Sequence, residues 1–479
     1  MGPPAVLASE RLAEHAAAVR FDRLPAAAIA AAKVWILDTL GVGIAGSSAA
    51  GMDAVCTAAG AWGAGDDATI WGTGLRAPAP AAAFVNGTQV HNQEYDCLHE
   101  GAVVHAMATL LPALLAVAER AGGVSGRDLI AAVVAGIDVA ANLGLAATAG
   151  FRFFRPATAG GFGAVAGLSV VFGLDSGRIA DAFGLQYGQT SGTMQPHLEG
   201  NALLPMQIGF NAQSAVRSVD LAMAGVSGPR DVFEGRYGYF PLFEGSWDLE
   251  RIWGGLGRDW RVCELSHKPW PAGRATHGGI EGILTLREQH GFSASDVRQA
   301  RVIVPPLTHR LVARADMPAP NAFYARLCMA FIGATALRHG DVAIAHCRGE
   351  ALTDPATHEL ARLITTEMDA NPDPNALAPQ RVEIVLRTGK TLQWACDAML
   401  ANPARPLTRE QHLRKFTRCL AFAREPLLPS AGAALIALVD RLEQVEDARA
   451  LCALLAPALP RHGPALPRHG SALPRHGPA

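Results

Sequence analysis

The sequence predicts a mainly α protein with an α+β second domain: a large all-helical domain followed by a smaller α+β domain. Three observations carry this. Over the first 230 or so residues, apolar side chains recur at three- and four-residue spacings in segments rich in Ala, Leu and Gly. After about Ser266, runs with a period of two appear between shorter helical segments. Half of the 479 residues are apolar and 18% are charged, the balance of a folded globular chain.

In the first part the periodicity predicts helices over 9–19, 25–40, 107–121, 126–146, 160–173, 176–184 and 207–224, punctuated by Gly or Pro. Their Ala and Gly faces imply close helix packing. Asn86-Gly87 reads as a turn. In the second part ARVIV at 300–304 reads as a strand. RVEIVL at 381–386, a turn at 388–390 and a returning run at 391–394 read as a hairpin. Helices are expected near 325–337 and 358–368. Helical character resumes at Thr408 and includes an amphipathic stretch over 431–455. The expected boundaries are 1–266 for the helical domain, 267–404 for the α+β domain and 405–457 for helices returning to the first. From Leu459 to Ala479 the motif LPRHG(P/S)A occurs three times, with Pro and Gly in every copy. Residues 458–479 therefore read as a disordered tail.

Charge and composition exclude several classes. Lys and Arg number 41 against 43 Asp and Glu, a net charge of −2, so no basic field exists to hold nucleic acid. The N-terminus lacks the basic and apolar regions of a signal peptide. The longest apolar stretch, 102–118, is shorter than a membrane span and contains His105 and Pro112. Eight Cys are scattered without a CxxC pair, as in a chain from a reducing cytoplasm. The chain is expected to be cytoplasmic, with no membrane and no nucleic-acid partner.

The densest polar cluster is HNQEYDCLHE at 91–100, followed by His105. Three His and three carboxylates within fifteen residues are costly to bury unless paired or used. Three uses stay open on residue types alone: acid/base chemistry, a metal site on His91, Glu94, His99 and His105, or a solvated loop. A second cluster, HKPWPAGRATH at 267–277, presents Lys268 and Arg274 on a rigid loop, with His277 opening a helix. Cations at a helix start suit a carboxylate guest, or a structural linker. A third, GFRFFRPATAGGFG at 150–163, sets Arg152 and Arg155 among aromatics, able to clamp a carboxylate. It lacks the GxGxxG spacing and a preceding strand, which argues against nucleotide binding. QPHLEGN at 195–201 either lines a pocket or is an interhelical loop.

At these clusters the chain resembles the MmgE/PrpD family from about Ala8 to Leu455. Lys33…Asp38-Thr39-Leu40-Gly41 is similar to its K-x-x-x-x-D-T-x-G start. Asn86-Gly87…His91…Glu94-Tyr95-Asp96…His105 resembles its N-G…H-x-x-D-F-D-D-T…H signature. Gly225…Gly228-Pro229…Glu234-Gly235…Gly238 and Lys268-Pro269-Trp270-Pro271…Thr276-His277 resemble two further motifs in the same order.

The resemblance implies a large helical domain closed by a smaller α+β lid, a homodimer, and a site in the cleft between domains. It implies a cofactor-independent lyase or isomerase of dehydratase, decarboxylase or epimerase type. The expected substrate is a small di- or tricarboxylate, with no metal and no organic cofactor. His105, Asp96, Lys268 and Glu94 are the implied catalytic group. Arg274, His277, Arg155, His99 and Gln207 are the implied substrate-binding group. Departures from the pattern fall at Glu94, Cys97, Leu98, Leu204, Gln207 and Phe331, so either a substrate different from those of well-known members or a rearranged site with the same reaction type is expected. A carboxylate-binding relative without activity and a metal-dependent hydrolase on the His91–His105 cluster are the alternatives.

Overall fold

In the computed structural model, which describes residues 6–457, ten helices build the first domain. They are α1 (Ala8–Ala18), α2 (Ala26–Gly46), α3 (Met52–Ala61), α4 (Ala79–His91), α5 (Ala106–Ala121), α6 (Gly126–Ala146), α7 (Arg155–Val171), α8 (Ser176–Tyr187), α9 (Gln195–Glu199) and α10 (Leu203–Met223). Local sequence explains several starts. Ser125 caps α6 through the Asp128 amide, with Asp128 reaching back, and Asp175 caps α8. The expected tail at 458–479 lies outside the described residues.

The core is a bundle in which α4, α5, α6, α7 and α10 pack on one another. Small residues set the spacing. A methyl group on Gly163 of α7 would sit 2.5 Å from the Gly136 carbonyl oxygen of α6. One on Gly46, closing α2, would sit 1.9 Å from the Gln89 carbonyl oxygen of α4. Helices α2 and α6 are long and apolar enough to cross a membrane, but 67% and 94% of their apolar windows are buried inside the protein.

Short strands stitch the loops. β1 (Ala68–Ile70) pairs with β2 (Leu75–Ala77), and β3 (Leu98–His99) pairs antiparallel with β4 (Leu265–Ser266). A single turn, α11 (Glu250–Trp253), precedes β4. The second domain follows with α12 (His277–His290), β5 (Val297–Val304), α13 (Pro306–Val312), α14 (Ala322–Ala325), α15 (Met329–His339), α16 (Pro355–Ala361), β6 (Ile364–Met368), β7 (Gln380–Leu386) and β8 (Thr391–Cys396). The sheet order is β6-β5-β7-β8, with β5 and β6 parallel and the other pairs antiparallel. Alternate residues of β7 (Gln380, Val382, Ile384, Leu386) point inward, and α12 and α15 pack on the sheet. The expected fold class holds: a large helical domain plus a smaller α+β domain. Then α17 (Arg409–Leu420) and α18 (Ala431–Asp440) pack on α2, and α19 (Arg449–Ala453) packs on α5.

Three local expectations are corrected. Residues 358–368 are not one helix: α16 ends at Ala361 and the Ile-Thr-Thr run becomes strand β6, which β-branched residues favour. The helix expected over 325–337 is two, α14 and α15. Asn86-Gly87 is no turn but lies inside α4. There the Asn86 side chain joins Thr69 O and Trp71 N, while a Cβ on Gly87 would meet Gly209 of α10 at 3.1 Å.

Candidate active site

Helix α4 ends at His91, and the chain turns through residues 92–97 into β3 before a tight loop delivers His105 to the start of α5. Two non-glycine residues in this segment, Glu94 (φ 50°) and Val103 (φ 53°), adopt the left-handed region. For a β-branched residue this is a strained conformation, of the kind that clusters at functional sites. Several groups hold the segment. Lys415 of α17 donates to the Tyr95 carbonyl and pairs with Asp38 of α2 at 2.7 Å. Buried Arg155 forks onto Glu244 at 2.8–3.2 Å and donates to the Ala102 carbonyl at 3.0 Å.

At the centre is Asp96, fully buried. Its Oδ2 accepts from Nδ1–H of both His91 and His105, each at 2.9 Å. Since an ionised carboxylate only accepts, Nδ1 of each ring carries a proton whether the ring is neutral or charged, and Nε2 is the atom that gains or gives up the second proton. The rings meet edge to face, centroids 4.9 Å apart. His91 Nε2 lies 3.7 Å from Glu94 Oε1. Lys268, completely buried, donates to Glu94 Oε2 at 2.8 Å and lies 3.7 Å from Asp96 Oδ1. The β3–β4 pairing brings Lys268 here, two residues beyond β4.

Burial alone would raise both carboxylates. The imidazoles and Lys268 outweigh it for Asp96, which is held well below the usual range. Lys268 and His91 do the same for Glu94, lowered to about 2. The histidines diverge. Burial pushes both down, but Asp96 and Glu94 together raise His91 above its ordinary value, while Asp96 fails to offset burial at His105, which stays below.

His91, Glu94 and His105 open onto a narrow cavity of about 60 Å³, whose wall on the side of the second domain includes Gly273, Arg274 and Leu311. Much of its remaining wall is apolar, including Leu98, Val103, Phe151 and Phe154. His197 also lines it. Arg314 of the lid donates to His197 Nδ1 at 3.2 Å, so the His197 proton lies on Nε2. Burial and Arg314 lower its pKa to about 3, making it a neutral donor.

The nine site residues named from the sequence fall in different places. His105, Asp96, Glu94 and Lys268 converge, although Lys268 sits behind the two carboxylates and does not line the cavity. Arg274 lines it while paired with Glu100 at 2.7 Å. The other four do not line it and are engaged with protein partners. His277 accepts from Arg274 and donates to the Ala272 carbonyl, so it braces Arg274. Arg155 is neutralised by Glu244. His99 bonds Glu264 at 2.7 Å, and Gln207 clamps the backbone of Thr193. The metal set His91, Glu94, His99 and His105 therefore does not assemble. His91, Asp96 and His105 do lie close enough to share an ion, but both Nδ1 atoms already serve Asp96. Sequence reasoning missed Arg314, which nothing in its neighbourhood signals, and left His197 undecided.

The MmgE/PrpD N-terminal domain model matches residues 10–252 and the C-terminal domain model residues 270–444. Curated relatives include cis-aconitate decarboxylase of Mus musculus, 25% identical over 91% of both chains. That of Homo sapiens is 26% identical over 88% of this chain and 89% of its own. The cis-aconitate decarboxylase-like protein oryM of Aspergillus oryzae is 27% identical over 77% of this chain and 82% of its own. With both domain models matched in order around this site, the chain belongs to the MmgE/PrpD family.

Proposed function

We propose that this lyase-type enzyme transfers a proton at a carbon beside a carboxylate of a small di- or tricarboxylate, without a cofactor, and that His105 is the base. The observation that carries the reading is the shared Asp96 oxygen: two histidines donate to it, yet one is raised and the other lowered. His105 Nε2 takes the proton, and the electron pair of the broken C–H bond flows toward the carboxylate oxygens. His197 Nε2–H and the Arg274 guanidinium face that oxygen-borne charge. The protonated His91 then delivers a proton to the departing group or to the opposite carbon. Lys268 keeps Glu94 and Asp96 ionised, so that Asp96 orients both rings. The relatives named cis-aconitate decarboxylase support the polycarboxylate class. The reading extends to a cytoplasmic homodimer, whose assembly sedimentation equilibrium would check.

The test is proton NMR in D₂O on chelator-treated protein with citrate-, aconitate-, malate- and tartrate-like acids. Deuterium is expected beside a carboxylate, or a new alkene signal, with the rate lowered on the order of 10²–10⁴-fold in His105→Ala. Activity abolished by chelator and restored by metal would favour a metal-dependent hydrolase instead. Binding without exchange would make the chain a non-catalytic relative.

A further inference from the structure

A second cavity, of about 380 Å³, lies between the domains and shares no lining residue with the first. The turn that carries the catalytic carboxylates separates them in sequence: His91 and Glu94 line one, Asn92 and Gln93 the other. Two arginines of the lid enter this second cavity, Arg326 and Arg348. No Asp or Glu lines it, and neither arginine forms an ion pair among the described residues. Arg326 is 2% exposed. Its Nη1 and Nη2 are satisfied by Asn92 O at 3.3 Å and Gln93 Oε1 at 2.6 Å, but its Nε has no partner. Gln93 Nε2, also fully buried, has none either. Arg348 reaches Ser48 Oγ at 3.0 Å and the Ala45 carbonyl at 3.4 Å, and stacks on Phe422.

Two guanidiniums without a carboxylate partner at one cavity are costly without an anion, while the unpartnered Arg326 Nε and Gln93 Nε2 lie sealed behind its wall. The electrostatics agree. Burial lowers both arginines, and Arg326 adds to burial in holding Arg348 down to about 10. Part of the wall is apolar, with Phe323, Ala49 and Leu352, which suits a carbon skeleton better than an inorganic ion. Ser48 and Asn321 also line it and offer polar partners to a hydroxyl on the ligand.

We propose that this cavity is a binding site for a small hydroxycarboxylate anion, distinct from the catalytic pocket and gripped by Arg326 and Arg348. Because Arg326 and Arg348 belong to the lid while Ser48, Asn92 and Gln93 belong to the helical domain, the bound anion ties the lid to the turn carrying Glu94 and Asp96. Occupancy is thus a means by which an organic acid in solution reports on the catalytic centre.

The test is thermal unfolding of the full chain with malate at about 100 times its dissociation constant, against equal ionic strength of chloride. A rise of about 3–5 °C is expected. It is lost in Arg348→Gln and in Ala50→Leu, which fills the cavity from an exposed position, and it persists in His105→Ala. A shift that survives Arg348→Gln and Ala50→Leu overturns the site. One that disappears in His105→Ala places the binding in the catalytic pocket, and equal stabilisation by inorganic phosphate overturns the carboxylate class.

Discussion

Replacing Asp96 by asparagine removes a charge while keeping the shape that holds both histidines. Both rings donate to the same oxygen, at 2.9 Å each, so the carbonyl oxygen of the new amide can accept from both while its nitrogen takes the place of Oδ1. That nitrogen then faces Lys268, 3.7 Å away, where a carboxylate oxygen stood. A hydrogen bond to a charged group contributes about 1.5–3 kcal/mol and a neutral one about 0.5–1.5, so each ring loses roughly 1–1.5 kcal/mol of stabilisation of its protonated form. At about 1.36 kcal/mol per pH unit, the His91 titration should fall by about one unit. The sign follows from the causes: Asp96 is the larger of the two groups that raise His91 against burial, and Glu94 alone remains to do so. His105, already low, should fall further. Since the proposed reaction needs His91 protonated and His105 neutral, the falling limb of kcat/KM moves to lower pH and its maximum drops on the order of 10²-fold. The assay is a carbon-detected titration of the histidine Cε1 positions, assigned with His91→Gln and His105→Gln. An unmoved or raised His91 midpoint in Asp96→Asn, or two histidines titrating together near the ordinary value of about 6.5 in the parent protein, would refute the reasoning.

Other outcomes follow from the same geometry. Arg155→Met should cost about 3–5 kcal/mol in urea unfolding by stranding buried Glu244, and Glu244→Met in the same chain should restore much of it. Gly46→Ala puts a methyl 1.9 Å from the Gln89 carbonyl oxygen. It should cost at least roughly 1–3 kcal/mol in the same assay and lower activity too, because Gln89 lies in the last turn of α4, just before His91. Acid unfolding should track the depressed carboxylates. Glu94 and Asp96 contribute stability above about pH 4.5, their unfolded range, and lose it as pH falls toward about 2, whereas His91, raised in the folded protein, contributes below about 6.5 and loses that as pH climbs through its folded value. Urea midpoints at several pH values check both limbs, and Lys268→Ala should shift the acid limb upward.

The helices were legible because their apolar positions repeat over many turns, and α6 carries its own start signal in Ser125 and Asp128. Helix α4 was hidden because Asn86-Gly87 has the composition of a turn, and the close approach of α10 and α5 explains the glycine. Strand β6 was hidden because its short run follows a helix without a breaker and is fixed by parallel pairing with β5. In the site, the cluster at 91–105 and Lys268 were visible as densities of costly residues. What each does was not. Whether a cation grips a ligand or neutralises a neighbour depends on partners far away in sequence, as Arg155 with Glu244 and Arg274 with Glu100 show.

The ion pair between Lys268 and Glu94 spans 174 residues, as does that between Arg274 and Glu100. During synthesis at about 5–20 residues per second, the chain carrying Glu94, Asp96 and both histidines emerges roughly 10–35 s before its cations do. Through that interval Asp96 and the two histidines have one another and Arg155 can hold the Ala102 carbonyl, but Glu94 lacks its ammonium partner and the turn lacks Lys268 and Lys415 to close on. The centre is therefore among the last parts to form on the ribosome, so a nascent chain stalled before residue 268 should hold a helical bundle with an open, solvated turn where the finished protein has its most buried charges.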